Sequence, residues 1–342
     1  MIGVMLDNLY GLSRPFFVLA PMDDVTDTVF RQIVGQCAPP DLYFTEFVNV
    51  DGLQSKGREK LLPKLVFTVH DRPLIAQIWG KTPENFYKTC AQIADGSMAR
   101  ELGLSEGVNF AGVDLNMGCP AKSEVKNGTC SALILPINRE LAGDIIDASR
   151  EGLNTVDTPL PLSVKTRLGY NEIDYTWHEY ILHKKLNMLT IHGRTKKQMS
   201  KVPAEWDAIE VIRKLRDDIS PATLIVGNGD VLSRKHGEDL IKKHGLDGAM
   251  VGRGIFHDPF VFAPPVDGLS PWLTVSRKDR IELFASHIKL FGATWTKNER
   301  RLVTLNKFCK IYINGFDGAK EIREELMACE TIDQLLKTLA KS

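Results

Sequence analysis

Eight short runs of apolar residues, rich in β-branched side chains, recur along the first 255 residues of this chain. Segments with helical periodicity, such as residues 83–94 and 206–215, lie between them. This alternation is typical of a parallel sheet built from βαβ units. Eight such units close into a (β/α)8 or TIM barrel, which is the α/β fold class that the sequence predicts. The predicted strands are residues 16–20, 42–48, 74–79, 112–116, 162–166, 188–192, 223–227 and 248–252.

The pattern changes after Asp258. Four prolines and Gly268 crowd residues 259–271, and such residues interrupt both helices and strands. From Arg277 onward apolar side chains recur at helical spacing, with Phe284 and Ile288 on one stripe. The predicted organisation is a barrel over residues 1–258, a linker over 259–276 and a C-terminal all-helical domain over 277–342.

Charge and cysteine usage exclude several classes of protein. The 43 basic and 43 acidic residues balance, which argues against a chain that coats nucleic acid indiscriminately, although residues 268–342 carry 13 basic residues against 9 acidic ones. Six scattered cysteines have no metal-ligand spacing, so no metal site and no disulfide framework are predicted. Without a long apolar run or a secretory signal, we expect a cytoplasmic protein that binds no membrane, with a monomer as the default state.

Polar residues end nearly every predicted strand. In a barrel of this kind, catalytic groups lie at the carboxyl ends of the strands, so these residues are the candidate site. They are Pro21-Met22-Asp23, Glu46, Gln77, Asn116 to Cys119, Lys165 with Arg167, His192 with Arg194, Asn228-Gly229-Asp230, and Arg253.

Two glycine-containing segments, 227–230 and 252–254, follow the seventh and eighth predicted strands. Barrels often bind a phosphate there through backbone N–H groups, and Arg253 adds a positive charge. A sugar phosphate and a flavin would both use such a site. Gln77, Lys165 and His192 could donate hydrogen bonds to the acceptor edge of a flavin ring, which favours the flavin. No GxGxxG segment follows a strand, so a Rossmann-type domain is not predicted.

Cys119 follows the fourth predicted strand on a Gly-Cys-Pro turn. Reduction of an activated C=C bond needs a hydride at one carbon and a proton at the other. A thiol whose pKa is about 8.5 stays largely protonated near neutral pH, so Cys119 is the candidate general acid of a flavin-dependent reductase.

With these residues in place, the chain resembles the tRNA-dihydrouridine synthases. The helical tail is most similar to that of the bacterial type-C enzymes. The stretches that carry the resemblance are 20–22 with 25–27 and 30–31, Asp114 to Pro120, Val164 to Gly169, Ile191 to Thr195, 228–230, and 252–254.

The resemblance implies FMN as tightly bound cofactor, NADPH as reductant, and reduction of the C5=C6 bond of one uridine in tRNA. Cys119 would protonate C5 after hydride reaches C6. Asn116 and Arg167 would hold the uracil edge, and Arg194 would also bind the substrate. Which uridine is modified, and whether NADH replaces NADPH, are left open. The implied cofactor contacts are Pro21, Met22, Asp23, Gln77, Lys165, His192, Asn228, Gly229, Asp230, Gly252 and Arg253.

A uridine in folded tRNA must leave its stack to reach a buried cofactor. Besides the pocket for the base, the enzyme therefore needs a second surface that binds the RNA backbone. The basic helical tail is the predicted surface, with recognition mainly through RNA shape and phosphates. Arg300 and Arg301 are its leading candidates. The other basic candidates are Arg277, Lys278, Arg280, Lys297, Lys307 and Lys310.

The chain also departs from the family pattern. Asp24 stands where glycine is common, Cys130 ends a segment, 127–130, that is usually glycine and alanine, and Ser200 replaces a frequent aromatic residue. The loop 96–109 is long, and neither its role nor that of Cys130 follows from the sequence.

Two other functions stay open at the level of sequence. One is a small-molecule flavin reductase resembling dihydroorotate or dihydropyrimidine dehydrogenase, which also combines FMN with a loop cysteine. The helical tail argues against it. The other is an RNA-binding protein without catalysis, which would not bind flavin.

Overall fold

The computed structural model describes residues 12–342, and its centre is one sheet of parallel strands. The second predicted strand is split in two by an irregular segment, so nine strands replace eight. The other predicted strands agree with the structure to within one residue at each end. The strands are β1 (Phe16–Leu19), β2 (Tyr43–Phe44), β3 (Val48–Asn49), β4 (Leu74–Trp79), β5 (Gly112–Met117), β6 (Leu162–Arg167), β7 (Met188–His192), β8 (Leu224–Asn228) and β9 (Gly248–Val251).

The sheet closes on itself. Strands β4 to β9 pair in sequence order, β9 pairs with β1 in the register Phe16↔Gly248, and β2 and β3 both pair with β4. A parallel bridge between Val18 and Leu42, next to β2, joins the two ends. The predicted parallel barrel is therefore confirmed.

Helices cover the outside of the barrel and make up the regular structure that follows it. The Pro83–Ala94 helix has the predicted bounds, and the loop 96–109 contains the short helix α5, whose Met98 is buried. The helices are α1 (Thr28–Cys37), α2 (Val50–Leu53), α3 (Arg58–Leu61), α4 (Pro83–Ala94), α5 (Ser97–Glu101), α6 (Lys122–Lys126), α7 (Arg139–Leu153), α8 (Tyr175–Leu182), α9 (Trp206–Ile219), α10 (Arg234–His244), α11 (Arg277–Thr294), α12 (Asn306–Tyr312), α13 (Ala319–Met327) and α14 (Ile332–Ala340).

The inside of the barrel is apolar at one end and polar at the other. Successive side chains of a strand point to opposite faces, so every second residue faces inward. Phe16, Ile75, Met188 and Val226 belong to one buried apolar cluster that fills the amino-terminal end of the barrel. Further along the strands the inward positions become polar. These positions are Gln77, Asp114, Asn116, Lys165, Arg167, His192 and Asn228.

After β9, every regular element in the described part of the chain is an α- or 3-10 helix, apart from one isolated bridge. These helices pack on the barrel: Phe308 lies 4.7 Å from Phe30, ring centre to ring centre, and the Trp295 indole N–H donates to Asp27 at 3.0 Å. None of the described helices is long and apolar enough to span a bilayer. The division at residues 258 and 276 stays a prediction.

Candidate active site

A cavity of about 460 Å³ opens at the carboxyl ends of the barrel strands. This volume lies in the range typical of cofactor and ligand sites. Residues from β6, β7 and β8, and from the segments that follow β1, β7, β8 and β9, form its wall. The lining residues are Ala20, Pro21, Met22, Lys165, Arg167, His192, Arg194, Ser200, Asn228, Gly229, Asp230, Val231, Leu232, Gly252, Arg253, Gly254 and His257.

The cavity wall is strongly basic. The Lys165 ammonium finds no hydrogen-bond acceptor or ion-pair partner among residues 12–342, and burial together with nearby Arg167 lowers its pKa to about 8. Burial and the neighbouring charges of Lys165 and Arg167 hold the pKa of His192 well below its usual range, so this imidazole is neutral near pH 7. The arrangement leaves an unpaired cation facing a cavity, which favours an anionic or electron-rich occupant.

Arg194 organises one wall of the cavity. Its guanidinium is buried and donates to the Val202 carbonyl at 2.6 Å and to Asp230 at 2.5 Å, and it lies 3.2 Å from His192 Nε2. Burial opposes ionisation of Asp230, but the bonds from Arg194 and the Ala204 backbone leave the pKa of this carboxyl below its ordinary value. Arg194 therefore holds His192 and Asp230 in position.

The two glycine segments lie side by side, as the sequence predicted for a phosphate site. Gly229 has φ +130°, an angle that glycine adopts easily, and a Cβ there would lie 2.7 Å from that of Ala204. Arg253 follows β9 with its side chain largely exposed, 3.7 Å from Asp230. Backbone and guanidinium groups therefore meet at one end of the cavity.

Asn116 shapes the turn that carries Cys119. Its side-chain oxygen accepts hydrogen bonds from the backbone N–H groups of Gly118 at 3.1 Å and Cys119 at 2.9 Å. Its amide nitrogen donates to Gln77, whose own amide donates to Asp114 at 2.7 Å. Burial raises the pKa of Asp114 to about 6. This buried polar chain determines where the turn leaves β5.

Cys119 lies beside the cavity rather than in its lining. The neighbouring Cys130 thiol lowers the pKa of Cys119 to about 7. The Ala121 backbone N–H also lowers this pKa, whereas burial raises it. The charges of Glu124 and Arg167 act on it in opposite directions. The side chain is only partly buried, so part of it is accessible to a substrate.

Arg167 connects the Cys119 turn to the opposite wall. Its Nε donates to the Gly118 carbonyl at 2.7 Å, and its Nη1 donates to the carbonyls of Thr195 and Met199 at 3.2 and 3.1 Å. Nη2 makes no hydrogen bond within the described part of the chain and remains available to a ligand. The guanidinium thus fixes the geometry between thiol and cavity.

Most of the residues predicted from the sequence meet at this cavity, but not all line it. Gln77 and Asn116 lie beneath the turn, and the exposed carboxylate of Asp23 pairs with Lys64 outside the lining. His257 and Leu232 line the cavity and were missed. His257 lies one helical turn beyond Arg253, a spacing that could have indicated it.

The RNA contact predicted for Arg300 needs correction. Its guanidinium is buried and forms a bidentate ion pair with the fully buried Glu46 of the barrel, with Asp24 3.4 Å away. A side chain held in this way is not free to bind phosphate. Arg301, by contrast, is exposed.

Comparison with known proteins agrees with the geometry. A family model described as dihydrouridine synthase matches residues 18–342. The chain belongs to the dihydrouridine synthase family. It is 42% identical over 333 residues to a probable tRNA-dihydrouridine synthase of Staphylococcus aureus (strain COL), covering 96% of this chain and 93% of the relative. It is also 40% identical over 337 residues to probable tRNA-dihydrouridine synthase 2 of Bacillus subtilis (strain 168), covering 97% and 95%.

Among solved structures, morphinone reductase in complex with tetrahydroNAD is similar with a TM-score of 0.46 and 11% identity, over 74% of this chain and 87% of that one. The barrel assignment depends on strand pairing alone.

One departure from the dihydrouridine synthase pattern has a direct structural explanation. Asp24 has φ +55°, a left-handed angle that suits the glycine common there and that aspartate tolerates better than most residues. Its N–H donates to Glu46 at 2.7 Å, and its carbonyl accepts from Lys307 at 2.9 Å. Asp24 therefore connects β1 to the helical tail.

Proposed function

We propose that this dihydrouridine synthase reduces the C5=C6 bond of one uridine in tRNA, with FMN as bound cofactor and NADPH as reductant. The observation that carries the proposal is the family match, which covers both the barrel and the helical tail. The basic cavity and the neighbouring thiol supply the groups that this chemistry needs. We further propose that residues 277–342 form a tRNA-binding domain and that the enzyme is a cytoplasmic monomer.

The cavity residues fit FMN. The unpaired Lys165 ammonium matches an electron-rich ring edge, and neutral His192 can donate a hydrogen bond beside it. The backbone of Gly229 and Gly252, with Arg253, would hold the phosphate. Pro21 and Met22 supply an apolar wall. When bound, the flavin supplies the hydride that the reduction of uridine requires.

The chain's own contribution to the reaction is the proton. We assign this role to Cys119, whose partly buried side chain lies beside the cavity on the turn that Asn116 holds. The free Nη2 of Arg167 would bind a uracil carbonyl and orient C5 toward the sulfur. Asn116 and Arg194 act as positioning residues in this scheme, since their hydrogen bonds are made largely within the protein.

A basic path for RNA leads away from the cavity. His257 lines both the cavity and a neighbouring groove that contains Lys307 and Lys310 of the tail. Another depression beside the tail contains Lys60, Lys64 and Arg301. Phosphates on both sides of an extruded uridine could be held by these groups. Within this set Lys307 also donates to the Asp24 carbonyl and Lys64 pairs with Asp23, which leaves Lys310 and Arg301 as the leading phosphate contacts. Arg277 and Arg280 of the tail are engaged internally with Ser342 and Trp272.

The proposed activity can be tested with the purified protein. Incubation with FMN, NADPH and tRNA lacking dihydrouridine should convert one uridine per tRNA, as measured by mass spectrometry of nucleosides. Parallel reactions with NADH and with free orotate or uracil separate the alternatives. Reduction of a free pyrimidine with unchanged tRNA would support a small-molecule reductase. A protein that binds tRNA but neither FMN nor NADPH would support a non-catalytic role.

Replacing Lys165 with methionine should weaken FMN binding about 10- to 100-fold, because one charge-assisted hydrogen bond contributes about 1.5–3 kcal/mol. Quenching of flavin fluorescence during titration measures the dissociation constant. Lys88→Met removes an exposed lysine on α4 and is the matched control. Equal affinities for the two variants would exclude Lys165 from the flavin site.

Replacing Arg301 and Lys310 together with glutamine should weaken tRNA binding and lower the slope of log K against log salt by about 1–2, since each lost phosphate contact removes nearly one released counterion. Filter binding at several salt concentrations measures both. Lys337→Gln on α14, combined with Lys341→Gln just after it, is the control. A slope unchanged in the first pair would locate the RNA surface elsewhere.

A further inference from the structure

Cys130 has a backbone conformation that is uncommon for a residue with a side chain. Its φ is +52°, and its side chain is fully buried. Left-handed angles of this kind favour glycine, so a side chain here merits a physical explanation from its contacts. Cys130 begins a short 3-10 helix, Cys130–Ile134, directly after the loop that follows the Cys119 turn.

The structure brings Cys130 against Cys119. The Ser131 N–H donates to the Cys119 carbonyl at 3.2 Å, which closes the loop between the two cysteines. The two side chains lie close enough for each thiol to be the largest influence on the pKa of the other. A disulfide between them would bring the two sulfurs to about 2 Å.

The loop that joins the two cysteines can supply this movement. Lys122, Ser123, Lys126 and Asn127 are exposed, and α6 within it is only five residues long. Gly128 has φ +79° and nothing lies within 4 Å of where its Cβ would be. The hydrogen bond from Ser131 to the Cys119 carbonyl holds the two ends of the loop together.

The two thiols differ in reactivity in the way that a redox pair requires. The hydrogen bond with Cys130, against the effect of burial, lowers the pKa of Cys119 to about 7, so much of it is thiolate near neutral pH. The same contact and burial raise the pKa of Cys130 well above its usual value. Burial also raises the pKa of Cys37 and Cys90 to about 12, which makes those thiols poor nucleophiles.

We propose that Cys119 and Cys130 form a reversible disulfide when the enzyme meets a peroxide. The Cys119 thiolate attacks one oxygen of H₂O₂, so that an S–O bond forms, the O–O bond breaks and hydroxide leaves. The Cys130 sulfur then attacks the Cys119 sulfur, the S–O bond breaks, and the oxygen leaves as water with the Cys130 proton. The two thiols lose two electrons in total, and peroxide is reduced to two waters. A dithiol reverses the bond by exchange.

The consequence for activity depends on the proposed function, because the disulfide removes the proton that Cys119 would give to uridine. Disulfide formation itself does not depend on that function. The bond would also protect Cys119, since a sulfenic acid without a partner thiol proceeds to the irreversible sulfinic acid.

The test uses the full-length protein, reduced and then treated with a small excess of H₂O₂. Trypsin cleaves after Lys122 and Lys126, so the two cysteines fall on separate peptides and a disulfide appears as one cross-linked species under non-reducing conditions. We expect this species in the wild type, with loss of dihydrouridine formation that dithiothreitol restores nearly completely. The Cys329→Ser control should behave in the same way.

Cys130→Gly suits the local backbone angle, and Cys130→Ser keeps a small polar side chain. Both variants should lack the cross-link, accumulate sulfinic acid at Cys119, and fail to recover activity with dithiothreitol. Oxidation of Cys119 in the wild type without a link to Cys130 would overturn the proposal, as would full recovery of both variants. The peptide measurement remains decisive even if Cys119 proves dispensable for turnover.

Discussion

Replacing Cys119 with alanine is expected to lower the rate of dihydrouridine formation by about 10²- to 10⁴-fold, the usual contribution of a positioned general acid. The flavin should remain bound, because Cys119 lies outside the lining of the cavity. Single-turnover reaction of flavin-reduced enzyme with tRNA isolates the step concerned. Cys329→Ala, a thiol of the tail, should retain the wild-type rate. A rate in Cys119→Ala within a factor of about 3 of the wild type, well below the contribution of a general acid, would refute the assignment.

The same reaction should depend on pH in a defined direction. The acid must carry its proton, and hydrogen bonding with Cys130 places the pKa of Cys119 at about 7. The single-turnover rate should therefore be highest below pH 7 and fall as pH rises through this value. Cys130→Gly removes this hydrogen-bond donor, so the pH at which its rate falls should be higher than in the wild type. If the rate falls at the same pH in both proteins, Cys130 does not control the pKa of Cys119.

Replacing Glu46 with leucine should lower the free energy of unfolding by about 3–5 kcal/mol, because it leaves the buried Arg300 charge without its principal partner. Urea denaturation followed by circular dichroism measures the change. Asp24→Asn is the matched control, since this carboxylate pairs with the same guanidinium from an exposed position and should contribute about 0–1 kcal/mol.

A double variant separates pairing from packing. Glu46→Leu combined with Arg300→Met removes both charges, so part of the lost stability should return. If the single and double variants are equally destabilised, the loss comes from packing at the contact between barrel and tail rather than from an unpaired charge.

The strands could be predicted closely because a short run of apolar residues is a local property of the chain. Leu74–Trp79 and Met188–His192 have the predicted bounds, since each is a run of side chains buried on both faces. The second strand was less predictable. Its irregular segment contains Glu46, whose carboxylate accepts hydrogen bonds from Asp24 and Arg300, both distant in the chain.

The candidate site was predictable in location but not in the contacts of each residue. Barrel topology places strand ends together, so Lys165, His192 and Arg253 could be grouped without coordinates. Asn116 and Gln77 could not be assigned from their residue types, because an amide can bind either a ligand or a backbone. Only the fold shows that Asn116 makes the Cys119 turn.

The sequence by itself determined the parallel barrel, the helical tail and the choice of Cys119, because periodicity and strand-end position are encoded locally. Tertiary structure alone decided what Arg300 and Cys130 do. Arg300 lies 254 residues from Glu46 in the chain, yet the packing of the tail buries the two together. Cys130 lies against Cys119 because the Ser131 backbone closes a loop, and a count of cysteine spacings contains no information about that hydrogen bond.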